Sequence, residues 1–167
     1  GKLLKMDSET ALLTSVGSGI CGAAAVLGAE STIQTKPFKT AVAVATVVIF
    51  GTIAMFIYPV AYRAGILGLS PGEMGIFAGS TLHEVAHAVG AGNAMGEEIA
   101  STAIIVKMIR VMLLVPVLLI LAYWVALKRS KSENAGSGKA KIAIPWFALG
   151  FLAVIGFNSF DLLPAVA

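Results

Sequence analysis

The sequence predicts an all-α membrane protein: a polytopic helical bundle with broken or re-entrant helices arranged in inverted repeats. Three observations carry this prediction. Hydrophobic residues make up 57% of the 167 residues and charged residues only 13%, about half the charged share of a soluble domain and too few to cover a soluble surface. Mean hydropathy is +0.90. Finally, the charges lie between long apolar runs, and two further apolar runs are interrupted by Gly, Ser and ionisable residues.

A net charge of +3 and a pI near 9.1 could suggest nucleic acid as a partner. The basic residues sit in short loops and form no stripe along one face, so nucleic acid is not expected. The partner the charges fit is a lipid bilayer, where basic loops set orientation. Cys21 is the single cysteine, so no internal disulfide can form.

Five segments are long enough for membrane depth, where a span takes roughly 20 apolar residues. Thr10 to Ala29 comes first; it is apolar on average but rich in Gly and Ser. Thr40 to Tyr62 is uncharged and dominated by Val, Ile, Ala and Phe, and it is the clearest span. Glu73 to Gly96 has the same mixed character as the first segment. Val111 to Leu127 is a plain span that extends back through Ile99 to Ile109 if Lys107 and Arg110 are accepted inside it. Ile142 to Phe160 is the last, with Pro145 near its start, where a missing N–H costs little, and Pro164 just past its end. Residues 128–141 (KRSKSENAGSGKAK) form a polar loop holding the densest positive cluster. The positive-inside rule places it in the cytoplasm. The chain opens on Gly1 and stops at Ala167 behind an apolar run. Residues 1–167 are therefore expected to be the interior part of one transmembrane transporter domain.

The two mixed segments resemble each other. Gly17-Ser18 overlays Gly79-Ser80, the closing Gly28-Ala29 overlays Gly90-Ala91, and the same offset lays Thr40 over Thr102. If Glu73–Gly96 is re-entrant, Thr40–Tyr62 runs from inside to outside, and Lys36 and Lys39 fall inside with the 128–141 loop. If Glu73–Gly96 crosses fully, those lysines fall outside. The charges thus favour re-entrant or broken elements in inverted repeats, a transporter design with the substrate held where the broken elements meet.

Three constellations could carry chemistry. In Gly17-Ser18-Gly19-Ile20-Cys21-Gly22, three glycines in six residues weaken a helix by about 1 kcal/mol each. A break there would offer the N–H groups of the following half-helix to an anion; the plainer reading is close packing through small residues. His83-Glu84-Val85-Ala86-His87 reads H-E-x-x-H. On a helix the two histidines would share a zinc and Glu84 would deprotonate its water, but a third ligand is needed. Asp161, Glu97 and Glu98 are the available donors, and none lies in a second motif. Lys107 and Arg110 share a helical face. At membrane depth they need a counter-charge or an anionic ligand, Glu84 being one partner, unless they snorkel to an interface.

These motifs resemble those of the YeiH-type family of bacterial inner-membrane proteins, a family associated with sulfate export. The resemblance runs through Ser18 to Val26, Ala41 to Gly51, Gly79 to Ala86, Lys107 to Met112 and Ile144 to Phe147, in order along nearly the whole chain. It implies a multi-pass inner-membrane transporter about twice this length, related to proteins with inverted repeats and broken helices. It also implies glutamine where this chain has His87, which would make the second histidine of the zinc pattern incidental.

The expectation is a non-enzymatic transporter of a small anion, sulfate among the candidates, with no cofactor and no metal, and with room for homo-oligomer formation. Its substrate path is expected to use Gly17, Ser18, Gly19, Cys21, Gly22, Ser80, His83, Glu84, Lys107 and Arg110. The alternative is an intramembrane zinc metalloprotease using His83, Glu84 and His87.

Overall fold

The computed structural model describes residues 5–132 and, beyond them, Gly150, Val154 and Phe157. The expected span Ile142–Phe160, Asp161 and all of the 128–141 loop except its first residues lie outside that range. The described part is helical: α1 (Ser8–Gly19), α2 (Ala23–Ile33), α3 (Pro37–Arg63), α4 (Pro71–Thr81), α5 (Val85–Met95), α6 (Glu97–Met112) and α7 (Leu114–Ser132).

Local chemistry sets the helix starts. Asp7 caps α1, its side chain accepting from Thr10 N at 3.2 Å. Lys39 pairs with the same carboxylate and holds it below the usual carboxylate range. Ser70 and Glu73 form a reciprocal capping box at the start of α4, satisfying two free N–H groups. Pro37 and Pro71 occupy first-turn positions, where the missing N–H is harmless. Pro116 explains the junction between α6 and α7. A proline ring clashes with the carbonyl four residues back, here that of Met112, and the chain tightens at Leu113, whose N–H bonds Arg110 O at 3.1 Å. Residues 97–127 nonetheless form one apolar stretch of 31 residues, and with α3 they are the two described helices long and apolar enough to cross a membrane.

Both mixed segments break, as the sequence led us to expect. Residues 20–22 separate α1 from α2, and residues 82–84 separate α4 from α5. Each pair is a hairpin, as three sets of contacts show. Lys39, at the start of α3, pairs with Asp7 at 2.7 Å and Glu9 at 2.9 Å, and further along Gly17 packs on Val47. So α1 runs parallel to α3, and α2 returns to where α3 begins. In the second hairpin Gly75 packs on Thr102 and Gly79 on Ala103 and Val106, whereas Gly92 of α5 packs on Ala100. Thus α4 runs parallel to α6, and α5 antiparallel to it.

The two hairpins point at each other. The base of the first lies at the start of α3. The base of the second lies at its end, where the Arg63 guanidinium donates to Ala94 O. A helix of 27 residues is about 40 Å long, so the bases are well separated and the tips meet near Val47 and Gly51, midway along α3. Running the other way, α6 and α7 leave the second base, pass the tips at Lys107 and Arg110, and reach Gly28 of α2 through Leu118.

The repeat is visible in the element boundaries. Shifted by 62 residues, the step from Gly17 to Gly79, α2 falls on α5 residue for residue and α1 falls on α4 to within one residue. The core follows the same division. One apolar cluster joins Leu13, Val26, Val47 and Leu118 around the first hairpin; the other joins Met74, Leu82, Ala91 and Ile99 around the second.

Close helix approach in the second cluster depends on Gly79. A Cβ there would lie 2.9 Å from Val106 Cβ and 3.0 Å from Ala103 Cα, so bulk must push α4 off α6. Gly79→Val should destabilise the full-length protein by about 1–3 kcal/mol or more, the usual cost of overpacking, read as a lower melting temperature in detergent. Gly72→Val, on the same helix with nothing within 4 Å of its Cβ, should leave the melting temperature unchanged.

Candidate functional site

Where the hairpins meet, four half-helix ends come together. The ends of α1 and α4 expose carbonyls and carry partial negative charge; the starts of α2 and α5 expose N–H groups and carry partial positive charge. The ionisable residues of the sequence meet three of these ends, those of α1, α4 and α2; the start of α5 has no side-chain cap among the described residues.

Arg110 reaches both hairpins. Its Nε donates to Gly19 O at 3.1 Å and its Nη2 to Ser18 O at 2.9 Å. Its Nη1 donates to Ser80 O and, more loosely, to Leu82 O at 3.3 Å and Gly79 O at 3.5 Å. A planar fork of donors suits this task, and a lysine could not span it. Lys107 is fully buried, with 0% exposure. Its ammonium donates to Leu82 O and, at 3.5 Å, to His83 O. The two cations therefore serve the negative ends of α1 and α4.

Glu84 serves a positive end. Its Oε1 accepts from Ala23 N, the first residue of α2, at 3.3 Å. The carboxylate can come this close only because residue 22 lacks a side chain: a Cβ at Gly22 would overlap Glu84 Cγ. Gly22 also has φ +81°, backbone that side-chain-bearing residues rarely adopt. Glu84 Oε2 lies 3.8 Å from His87 Nε2. Among the described residues, Glu84 makes no ion pair with Lys107 or Arg110.

The histidines do not form the face that H-E-x-x-H would give on a helix. The helix is broken through His83 and Glu84, and α5 begins at Val85. His83 Nδ1 lies 2.8 Å from Val47 O, which makes that nitrogen the protonated one. His87 lies over Gly51, with Nε2 3.3 Å from Thr52 Oγ1 and Nδ1 buried without a hydrogen-bond partner among the described residues. Among the described residues no three His, Cys, Asp or Glu side chains cluster as a ligand set.

The structure thus gathers the predicted residues at one place, with different duties for several. Ser18, Gly19 and Ser80 take part through their carbonyls, and the Ser80 hydroxyl bonds back to Phe77 O at 3.0 Å. A Cβ built on Gly19 meets nothing within 4 Å among the described residues, whereas Gly17 is pressed against Val26 and Val47. Cys21 is buried at the first tip. Sequence reasoning missed Gly51 and Thr52; a lone glycine in the middle of the most apolar span was the available signal for Gly51. The free N–H groups expected at the start of the half-helix after the first break include Ala23 N, which donates to the Glu84 carboxylate.

A family model described as conserved hypothetical protein 698 matches residues 1–167. A UPF0324 membrane protein of Bacteroides thetaiotaomicron is 68% identical over 165 residues, covering 99% of this chain and 49% of that protein. A UPF0324 membrane protein of Bordetella bronchiseptica is 52% identical, covering 98% of this chain and 51% of its own. One of Pseudomonas putida is 51% identical, covering 98% and 46%. The chain belongs to this family of bacterial membrane proteins, the YeiH-type family that its motifs resemble. It spans about half the length of the curated relatives it matches. No solved structure matches it.

If the cations hold helix ends, removing them should cost stability. Lys107→Met keeps the bulk but strips a donor from buried carbonyls, a loss of about 1–3 kcal/mol. Arg110→Gln, which unties both hairpins, should cost more. Melting of the full-length variants in detergent checks both; a larger loss for Lys107→Met would reverse the ranking drawn from the contacts.

Proposed function

We propose that this member of the conserved hypothetical protein 698 family is part of a multi-pass transporter that moves a small anion across the bacterial cytoplasmic membrane, sulfate export being the specific form its family resemblance suggests. The observation that carries the reading is the tip-to-tip meeting of two hairpins of opposite direction midway along α3. In lipid, non-helical backbone is tolerated only where protein or a water-filled cavity surrounds it. Two such breaks in inverted repeats, brought together beside buried ionisable residues, match the way secondary transporters build a midplane site. Two cations against one carboxylate at the tips, Lys107 and Arg110 against Glu84, favour an anion as the passing species. Because both cations are engaged by carbonyls, their attraction acts as local field; the substrate's direct contacts fall to hairpin backbone and to side chains of the full-length protein. Orientation follows from the same geometry. The base of the first hairpin, with Lys36 and Lys39, and the end of α7, leading into the basic 128–141 loop, lie on one side, which the positive-inside rule makes cytoplasmic.

The test is flux. Full-length protein in liposomes should move at least one small anion, sulfate included in the panel, down an imposed gradient, above protein-free vesicles. Correctly inserted protein that moves no anion in the panel would defeat the reading. Near one zinc per chain, lost together with peptidase activity in His87→Gln, would promote the metalloprotease instead.

A further inference from the structure

Three ionisable side chains at the hairpin tips are held in fixed duties. Lys107 and Arg110 donate to helix-end carbonyls, and His83 donates to Val47 O. Glu84 is different. It belongs to the second hairpin but bonds the first, Oε1 to Ala23 N at 3.3 Å. Its side chain is 24% exposed, against 0% for Lys107. Gly22, with no side chain, leaves the carboxylate in close contact with the first tip, 3.0 Å from a built Cβ to Oε1. The groups facing it from each packed element are few. His87 on α5 lies 3.8 Å from Oε2. Cys21 lies buried beside Gly22 on the first hairpin. From α3 comes Thr52, which bonds His87. From α6 come Lys107 and Arg110, neither in ion-pair contact with Glu84 among the described residues. The tips are thus joined in two ways: by a guanidinium that keeps its proton at any physiological pH, and by a carboxylate that need not keep its charge.

We infer that Glu84 is a proton-operated latch between the two hairpins. As a carboxylate it accepts the Ala23 N–H and draws the positive start of α2 against the second hairpin. When a proton from water binds the carboxylate oxygen, the charge-assisted bond becomes a weaker neutral one and the hairpins are freed to move apart, with Arg110 as the remaining tie. The latch itself needs no transport activity; only its consequence for flux rests on the anion-transport reading, where it makes the proton the coupling ion.

Cys21, buried at the first tip, reports the latch. The experiment uses full-length protein in membranes, with any other cysteine replaced, and follows alkylation of Cys21 by a small maleimide. All variants are compared at one neutral pH, so that the thiol's own ionisation does not vary. Glu84→Gln mimics the protonated side chain. Ala23→Pro removes the donor from the other partner at a first-turn position where a helix accepts proline. Both should speed labelling by about tenfold, the scale of one charge-assisted hydrogen bond. Labelling at the wild-type rate in both overturns the latch, and if one variant fails to insert, the other decides. Flux separates the two claims. Faster labelling with no anion flux in wild type leaves the latch standing and defeats the transport reading. Wild-type flux with unchanged labelling does the reverse. Where flux is present, its acid dependence should disappear in Glu84→Gln.

Discussion

A helix that stops inside a protein leaves four N–H or four C=O groups without intrahelical partners, and these must find partners elsewhere. Two hairpins meeting tip to tip create four such ends at one place. The arrangement here depends on meeting that demand at three of them. Arg110 and Lys107 bring N–H donors to the carbonyl ends of α1 and α4, and Glu84 brings an acceptor to the start of α2. Each charge sits at the helix end of opposite polarity. An unpaired buried charge would be costly, and so would an unpaired helix end; here each offsets the other.

The rest of the bundle follows from that junction. Because the tips are tied to each other, α3 and the α6–α7 stretch lie on either side of the hairpins and run in opposite directions. Their outer faces carry exposed Phe50, Phe56, Ile57, Ile109, Ile120 and Trp124. Exposed apolar surface on this scale suits lipid or further helices of a protein whose relatives are about twice as long. Small residues do the close packing inside, as expected where lipid removes the hydrophobic drive between helices. Gly17, Gly75, Gly79 and Gly92 each have a neighbouring atom at or within about van der Waals contact of a built Cβ.

Much of this was legible in the residues. Helical membrane character follows from composition, and the glycines of Gly17–Gly22 mark the first break. The repeat offset read from Gly17-Ser18 and Gly79-Ser80 reproduces the boundaries of α1, α2, α4 and α5. The second break was harder to place. Its residues, Leu82-His83-Glu84, contain no glycine or proline, and His83 to His87 imitate a helical metal motif. Tertiary bonds hold that segment open: His83 to Val47, and Lys107 to the Leu82 carbonyl. The duties of Lys107 and Arg110 were not legible either. A cation at membrane depth announces that something negative is near, but sequence cannot distinguish a substrate from a helix end.

The central claim is that the two hairpins enter from opposite faces and meet. It is tested most directly by single cysteines at their bases in the full-length protein, labelled on intact cells with an impermeant maleimide. Lys36→Cys marks the first base, Glu97→Cys the second, and Ser132→Cys the end of α7; Lys36 and Glu97 are exposed. The account predicts that Glu97→Cys labels from outside, and that Lys36→Cys and Ser132→Cys label only after the cells are permeabilised. Labelling of Lys36→Cys and Glu97→Cys from the same side would contradict it.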